Sequence, residues 1–173
     1  ALKSTGVAGS SLLDIGGGVG AIQHELLKAG ASSAVSVDAS SAYTQIAGDE
    51  ARRQGHADRV TSLHGNFVDL ASQIEPADIV TLDRVVCCYH DMKGLVGLAS
   101  QRATKMIGLV YPPDNWFFRT GARFMNLALR LRRSPFRGFV HPSALVDSVI
   151  RSHGLQRRFY RRTPRWQVVV YAR

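Results

Sequence analysis

The chain has 173 residues, is 45% hydrophobic and 20% charged, and carries a formal net charge of +9. That is the composition of one globular domain, long enough to fold without a zinc or disulfide staple, and it excludes a collagen-like, disordered or disulfide-knot protein. The apolar runs fall well short of a membrane span and no signal-peptide pattern is visible, so a cytoplasmic protein without a membrane span is expected.

In chain order, Ser11–Ile15 reads as a buried strand running into glycines. Val19–Ala29 has helical apolar spacing, with Gly30 as its stop. Ala34–Asp38 is a second strand. Ser40–Gln54 is a helix with Ser40 or Ser41 as N-cap and Gly55 after it. Arg59–His64 and Ala77–Asp83 are further strands, Gly94–Ala103 a helix, and Lys105–Tyr111 a fifth strand closed by Pro112 and Pro113. Asn115–Arg133 is a long helix rich in Trp, Phe and Arg. On it Arg119, Arg123 and Arg130 share one face, while Phe124, Leu127 and Leu131 share another that is expected to pack on the sheet or roof a cleft. Ala144–His153 is a helix ending at Gly154, and Leu155–Arg162 with Trp166–Ala172 forms a hairpin. Strands alternating with helices imply an α/β, doubly wound sheet of seven strands, mostly parallel, with an antiparallel C-terminal hairpin. A single domain over 1–173 is expected, with Asp114–His141 as an insert between the fifth and sixth strands. The first residue is not Met and the first strand begins at Ser11, so an N-terminal segment is expected to be missing.

The most informative segment is Leu12-Leu13-Asp14-Ile15-Gly16-Gly17-Gly18-Val19-Gly20. A strand, a glycine cluster and a helix in that order let a ligand approach the backbone closely. Asp38 ends the second strand, where a carboxylate can accept both hydrogen bonds of a ribose diol. Together they indicate an adenosine-type cofactor at the C-terminal edge of a parallel sheet. Asp14 then discriminates between candidates. A carboxylate there would repel a pyrophosphate, as in a dinucleotide, but would favour a cationic ligand.

At these residues the chain resembles the class I S-adenosylmethionine-dependent methyltransferases, whose Rossmann-like fold ends in a C-terminal hairpin. The matching residues are Leu13–Gly20, Val37-Asp38-Ala39, Gly65-Asn66-Phe67 and Asp78–Asp83. The resemblance implies S-adenosylmethionine as cofactor, with Asp14 holding the methionine ammonium directly or through water. It implies backbone contact at Gly16 and Gly18, ribose binding by Asp38, and adenine packing by Ala39. Asn66 stands where the family often has an Asp that accepts from the adenine amino group, and Phe67 is its neighbour at the cofactor. Asp83 would face the cofactor's edge. The segment Val86–Asp91 lies where this family lines the methyl-transfer cleft. This makes His90 the candidate general base and Tyr89 a substrate-contacting residue.

The first hundred residues carry seven Lys/Arg and eleven Asp/Glu, a balance of −4, whereas residues 101–173 carry fifteen Lys/Arg against Asp114 and Asp147, a balance of +13. The arginine- and aromatic-rich insert faintly resembles that of magnesium-protoporphyrin methyltransferases. It implies a small, anionic, partly apolar substrate recognised by Arg119 and Arg123, most simply in an O-methylation. Arginines among aromatics also suit a nucleic acid, which makes an RNA methyltransferase the alternative partner reading. The motifs of amino- and cytosine-C5-methylating DNA enzymes are absent. A dehydrogenase reading rests on Tyr89-x-x-x-Lys93, which has the spacing of a short-chain dehydrogenase pair but follows the wrong strand. No metal site is expected. Cys87 and Cys88 are adjacent, hence expected to be unbridged thiols acting as small core fillers.

Overall fold

The computed structural model describes residues 6–173. Seven strands form one sheet: β1 (Ser11–Ile15), β2 (Ser33–Asp38), β3 (Val60–His64), β4 (Ala77–Asp83), β5 (Ala103–Tyr111), β6 (Gln156–Arg162) and β7 (Gln167–Ala172). Their order is β3-β2-β1-β4-β5-β7-β6. The first five are parallel and β7 runs antiparallel to both β5 and β6. The helices are α1 (Ala21–Lys28), α2 (Ser41–Arg53), the single turn α3 (Phe67–Leu70), α4 (Met92–Arg102), α5 (Trp116–Leu131) and α6 (Ser143–Ser152).

Strand periodicity divides the core in two. Leu13 and Ile15 of β1 join Val80 and Leu82 of β4 beneath α4 and α6. Leu12 and Ile79 turn the other way and pack with Leu26 and Leu27 of α1. Each such fully buried Leu or Ile contributes about 1.5–3 kcal/mol relative to an exposed one. The strand order reverses between β1 and β4, which opens a crevice at the C-terminal ends of those strands.

Helix ends follow local chemistry. The Ser40 hydroxyl accepts from the Tyr43 N–H at 3.4 Å and starts α2. At the end of α1 the Ala31 N–H reaches the Leu26 carbonyl at 3.0 Å and Gly30 the Leu27 carbonyl at 3.1 Å, the two bonds of a Schellman stop. The same pair closes α5, where Ser134 bonds Leu129 and Arg133 bonds Arg130. Here the left-handed residue is Arg133, at φ +55°, so no glycine marks that stop.

The structure corrects two expectations. Phe124, Leu127 and Leu131 do not pack on the sheet or roof the cleft. They are 69%, 55% and 78% exposed, because α5 turns its other side inward: Asn126 donates to the Gly138 carbonyl at 2.8 Å and accepts from the Gly138 N–H at 2.9 Å. Cys87 and Cys88 are unbridged, with sulfurs 3.8 Å apart, but they are not core fillers. Cys88 is exposed and Cys87 half-buried, since the turn carrying them leaves the sheet at the crevice.

Candidate active site

Beneath the glycine loop the sheet carries an unusual polar row. Asp14 lies opposite Ser36 of β2 and Thr81 of β4 in the strand register. All three are buried. Asp14 Oδ1 accepts from the Thr81 hydroxyl at 2.6 Å, while Asp14 Oδ2 is buried with no hydrogen-bond partner. Burial pushes the Asp14 carboxyl up to about 7; the Thr81 bond opposes the shift, and the charges of Asp83 and Asp38 add to it. A buried carboxylate oxygen without a partner favours a cation or a bridging water beside it.

The loop above this row tolerates no side chains at its first two positions. Gly16 has φ +64°, and a Cβ there would collide with the Val85 side chain. A Cβ at Gly17 would lie 2.6 Å from Ser36 Oγ and 2.9 Å from Asp14 Oδ2. The Gly18 N–H donates to Asp38 Oδ2 at 3.0 Å, and the Ser40 N–H to Asp38 Oδ1 at 2.8 Å. Asp38 therefore clamps the loop to the end of β2. Each of its oxygens keeps a second lone pair for a ligand.

A cleft of about 1010 Å³ opens in front of the loop. Its floor is Ile15, Gly16, Asp38 and Ala39; its sides include Asn66, Phe67, Asp83, Tyr89 and His90. Asn66 Oδ1 accepts from the Val68 N–H at 3.3 Å, capping α3. Its amide donates to Asp69 at 3.0 Å and to the Tyr89 hydroxyl at 3.1 Å. Asp83 pairs with Arg84 at 3.1 Å. His90 is exposed and stacks on Tyr89, ring centroids 5.2 Å apart. Tyr89 stands outside α4, at the end of a short 3-10 turn, so Tyr89 and Lys93 do not share a helix as the dehydrogenase spacing requires.

The far wall is a strap after α5 that also lines the cleft, with Pro135, Phe136, Arg137 and Phe139. It is fixed by the Phe139 N–H on the Cys87 carbonyl at 2.7 Å and by His141 Nε2, 2.9 Å from the Tyr89 carbonyl. A carbonyl only accepts, so that nitrogen carries the proton. Sequence reasoning missed Arg137, Phe139 and His141 as site residues. The reverse holds for Arg119 and Arg123, which do not line the cleft. Arg119 pairs with Asp114 at 2.6 Å, and α5, which carries Arg119 and Arg123, has no buried residue.

The solved structures most similar in fold include magnesium protoporphyrin IX methyltransferase from Synechocystis PCC 6803 with bound S-adenosylhomocysteine. It is 18% identical, with a TM-score of 0.80 over 99% of this chain and 78% of that one. An O-methyltransferase family protein from Burkholderia thailandensis is 19% identical with a TM-score of 0.79, covering 99% of this chain and 54% of its own. An O-methyltransferase family 2 protein from Planctomyces limnophilus, solved with apigenin, is 18% identical with a TM-score of 0.72 over 97% and 51%. No curated protein matches the sequence significantly. Among the described residues no helix is long and apolar enough to cross a membrane. The sequence model of the methyltransferase domain matches residues 12–102, more than half of the chain. The chain thus belongs to the methyltransferase-domain family and is an S-adenosylmethionine-dependent enzyme.

Proposed function

We propose that the enzyme O-methylates a small molecule that is anionic and partly apolar. The observation that carries this reading is the cleft itself. Beyond the glycine loop it is walled by Tyr43, Tyr89, Phe136 and Phe139, and two arginines line it: Arg84, paired with Asp83, and Arg137, which donates from one nitrogen to the Ser134 and Phe136 carbonyls and keeps its other N–H groups for a ligand. Aromatic walls suit a flat apolar body, and a guanidinium suits a carboxylate or phosphate. The structural neighbours, a magnesium protoporphyrin methyltransferase and two O-methyltransferase family proteins, support the same chemistry. Arg137 takes the anion-binding role that the sequence suggested for Arg119 and Arg123.

The cofactor supplies a methyl group on a sulfonium, ready for transfer to a nucleophile. The donor set suits such a group, since the partnerless Asp14 Oδ2 matches an ammonium or its water, and no anionic phosphate needs a place. In this reading Asp14, Gly16 and Gly18 hold the methionine part and Asp38 the ribose. Ala39, Asn66 and Phe67 border the adenine, and Asp83 faces the cofactor's edge. Catalysis then rests on aligning the acceptor oxygen in the walled cleft and excluding water. An acceptor carboxylate is already ionised and needs no base; a hydroxyl would give its proton to His90.

The test is methyl transfer from radiolabelled cofactor to a panel of aromatic carboxylates, phenols and single-stranded RNA. The expected result is labelling of a carboxylate or phenol, with Arg137→Ala raising KM and Arg119→Ala leaving it unchanged. With a carboxylate acceptor His90→Ala retains kcat; with a phenol it loses kcat. Labelling confined to RNA would refute the reading.

A further inference from the structure

Helix α5 is amphipathic with its apolar side outward. Trp116, Phe117, Phe124, Leu127 and Leu131 fall on one stripe at about 100° per residue, and each is between 55% and 78% exposed. Arg119, Arg123 and Arg130 form the adjacent stripe, Arg132 and Arg133 follow directly, and α5 contains no Asp or Glu. Its third side, with Phe118, Ala122, Asn126 and Leu129, is half-buried and tied to Gly138 through Asn126. That anchorage fixes which way the apolar stripe points.

Charge decides what can cover it. A second copy of α5 would bring arginine stripes against each other with no carboxylate from either helix to offset them. Nucleic acid would use the arginines but leave Leu127 and Leu131 in water. An anionic bilayer surface takes both stripes at once: the aromatic and aliphatic side chains enter the acyl boundary, and the guanidiniums lie at the lipid phosphates. Sixteen residues make a helix of about 24 Å, which fits lying in the interface plane but is too short and too charged to span the hydrocarbon.

We propose that α5 is an interfacial anchor that seats the enzyme on an anionic lipid surface. The Ser134–His141 strap that walls the cleft begins where α5 ends, and the reciprocal Asn126–Gly138 bonds join the two. A seated helix therefore holds the cleft wall at the membrane surface.

The experiment uses the full chain and vesicles of phosphatidylcholine, alone or with about 30% phosphatidylglycerol. Binding is read by cosedimentation and by Trp116 fluorescence in a Trp166→Phe background, which leaves Trp116 as the single tryptophan. The expected result is partition to the anionic vesicles with a blue-shifted Trp116. Leu127→Glu with Leu131→Glu weakens it by about tenfold or more, circular dichroism and S-adenosylhomocysteine affinity being unchanged. Arg123→Ala with Arg130→Ala removes the preference for anionic lipid. The proposal is overturned by absence of vesicle binding, or by binding indifferent to the leucine pair. It is equally overturned if the leucine pair instead abolishes a dimer or an RNA complex of the unsubstituted protein. Because vesicle binding needs no methyl acceptor, its failure leaves the O-methylation reading standing, and the reverse also holds.

Discussion

Asp14→Asn isolates the electrostatics of the polar row. In the folded chain the Asp14 carboxyl is raised from 3.8 to about 7, whereas in the unfolded chain it titrates as an ordinary carboxylate. As pH rises from about 4, the unfolded state loses this proton first, so stability falls until the folded group ionises near 7 and is flat above that. The shift of about three units corresponds to about 4 kcal/mol in full, of which about 2–3 kcal/mol develops between about pH 5 and about pH 8. Asp14 is 1% exposed, so solvent screening takes little from this. Asparagine still accepts from the Thr81 hydroxyl, and its unpaired amide costs about 1–3 kcal/mol at every pH. The assay is urea unfolding of both proteins without cofactor at the two pH values. The variant should gain on the parent by about 2–3 kcal/mol from the lower to the higher pH. A stability difference independent of pH would show that Asp14 titrates normally and would refute the account of a partnerless buried carboxylate.

Four further outcomes follow from named contacts. Asp38→Ala should weaken S-adenosylhomocysteine binding by roughly 1.5–3 kcal/mol in calorimetry, the scale of charged hydrogen bonds; unchanged affinity in a folded variant would remove Asp38 from the ribose. The same substitution should lower the urea midpoint, because the Gly18 and Ser40 N–H groups lose their acceptor. Gly16→Ala should cost about 1–3 kcal/mol through its left-handed backbone and its collision with Val85; Val85→Ala in addition should recover part of that, and no recovery would mean the backbone term is the whole effect. Cys88, exposed on the cleft lining, should react with iodoacetamide first in peptide mapping, and more slowly with S-adenosylhomocysteine bound; equal rates would put Cys88 beyond the ligand's reach.

What the sequence disclosed was whatever is encoded locally. Strands β1, β2, β4, β5 and β7 each have their own apolar run, the hairpin its own turn, and the Asp14–Gly20 loop and Asp38 lie within one βαβ unit, so their proximity follows from topology alone. The strap was invisible because its bonds are long-range: His141 reaches the Tyr89 carbonyl across 52 residues. Helix α5 was legible as amphipathic, but periodicity names the apolar side without naming what it faces. The deciding contact, Asn126 with Gly138, is between residues of no evident pattern. Arg119 and Arg123 were assigned to the substrate by composition, yet the arginine of that stretch that lines the cleft is Arg137, one among many. The turn α3 escaped because four residues are too few to show a period; only the capping Asn66 hinted at it.

The row of Asp14, Ser36 and Thr81 also bears on how the protein lives without its cofactor. These residues occupy mid-sheet positions where apolar side chains would add cohesion, and they tie β1 to β2 and β4. The row thus weakens the centre of the sheet relative to an all-apolar one until a cation or water answers Asp14 Oδ2. A ligand that binds only the native state adds RT ln(1 + [L]/Kd) to stability, about 2.7 kcal/mol at a hundredfold excess over Kd. Much of that gain would be felt as slower amide exchange along β1 and β4, the strands that carry Asp14 and Thr81. Cellular lifetime of the enzyme would then track the supply of its methyl donor, with starvation for the donor clearing the enzyme as well as idling it.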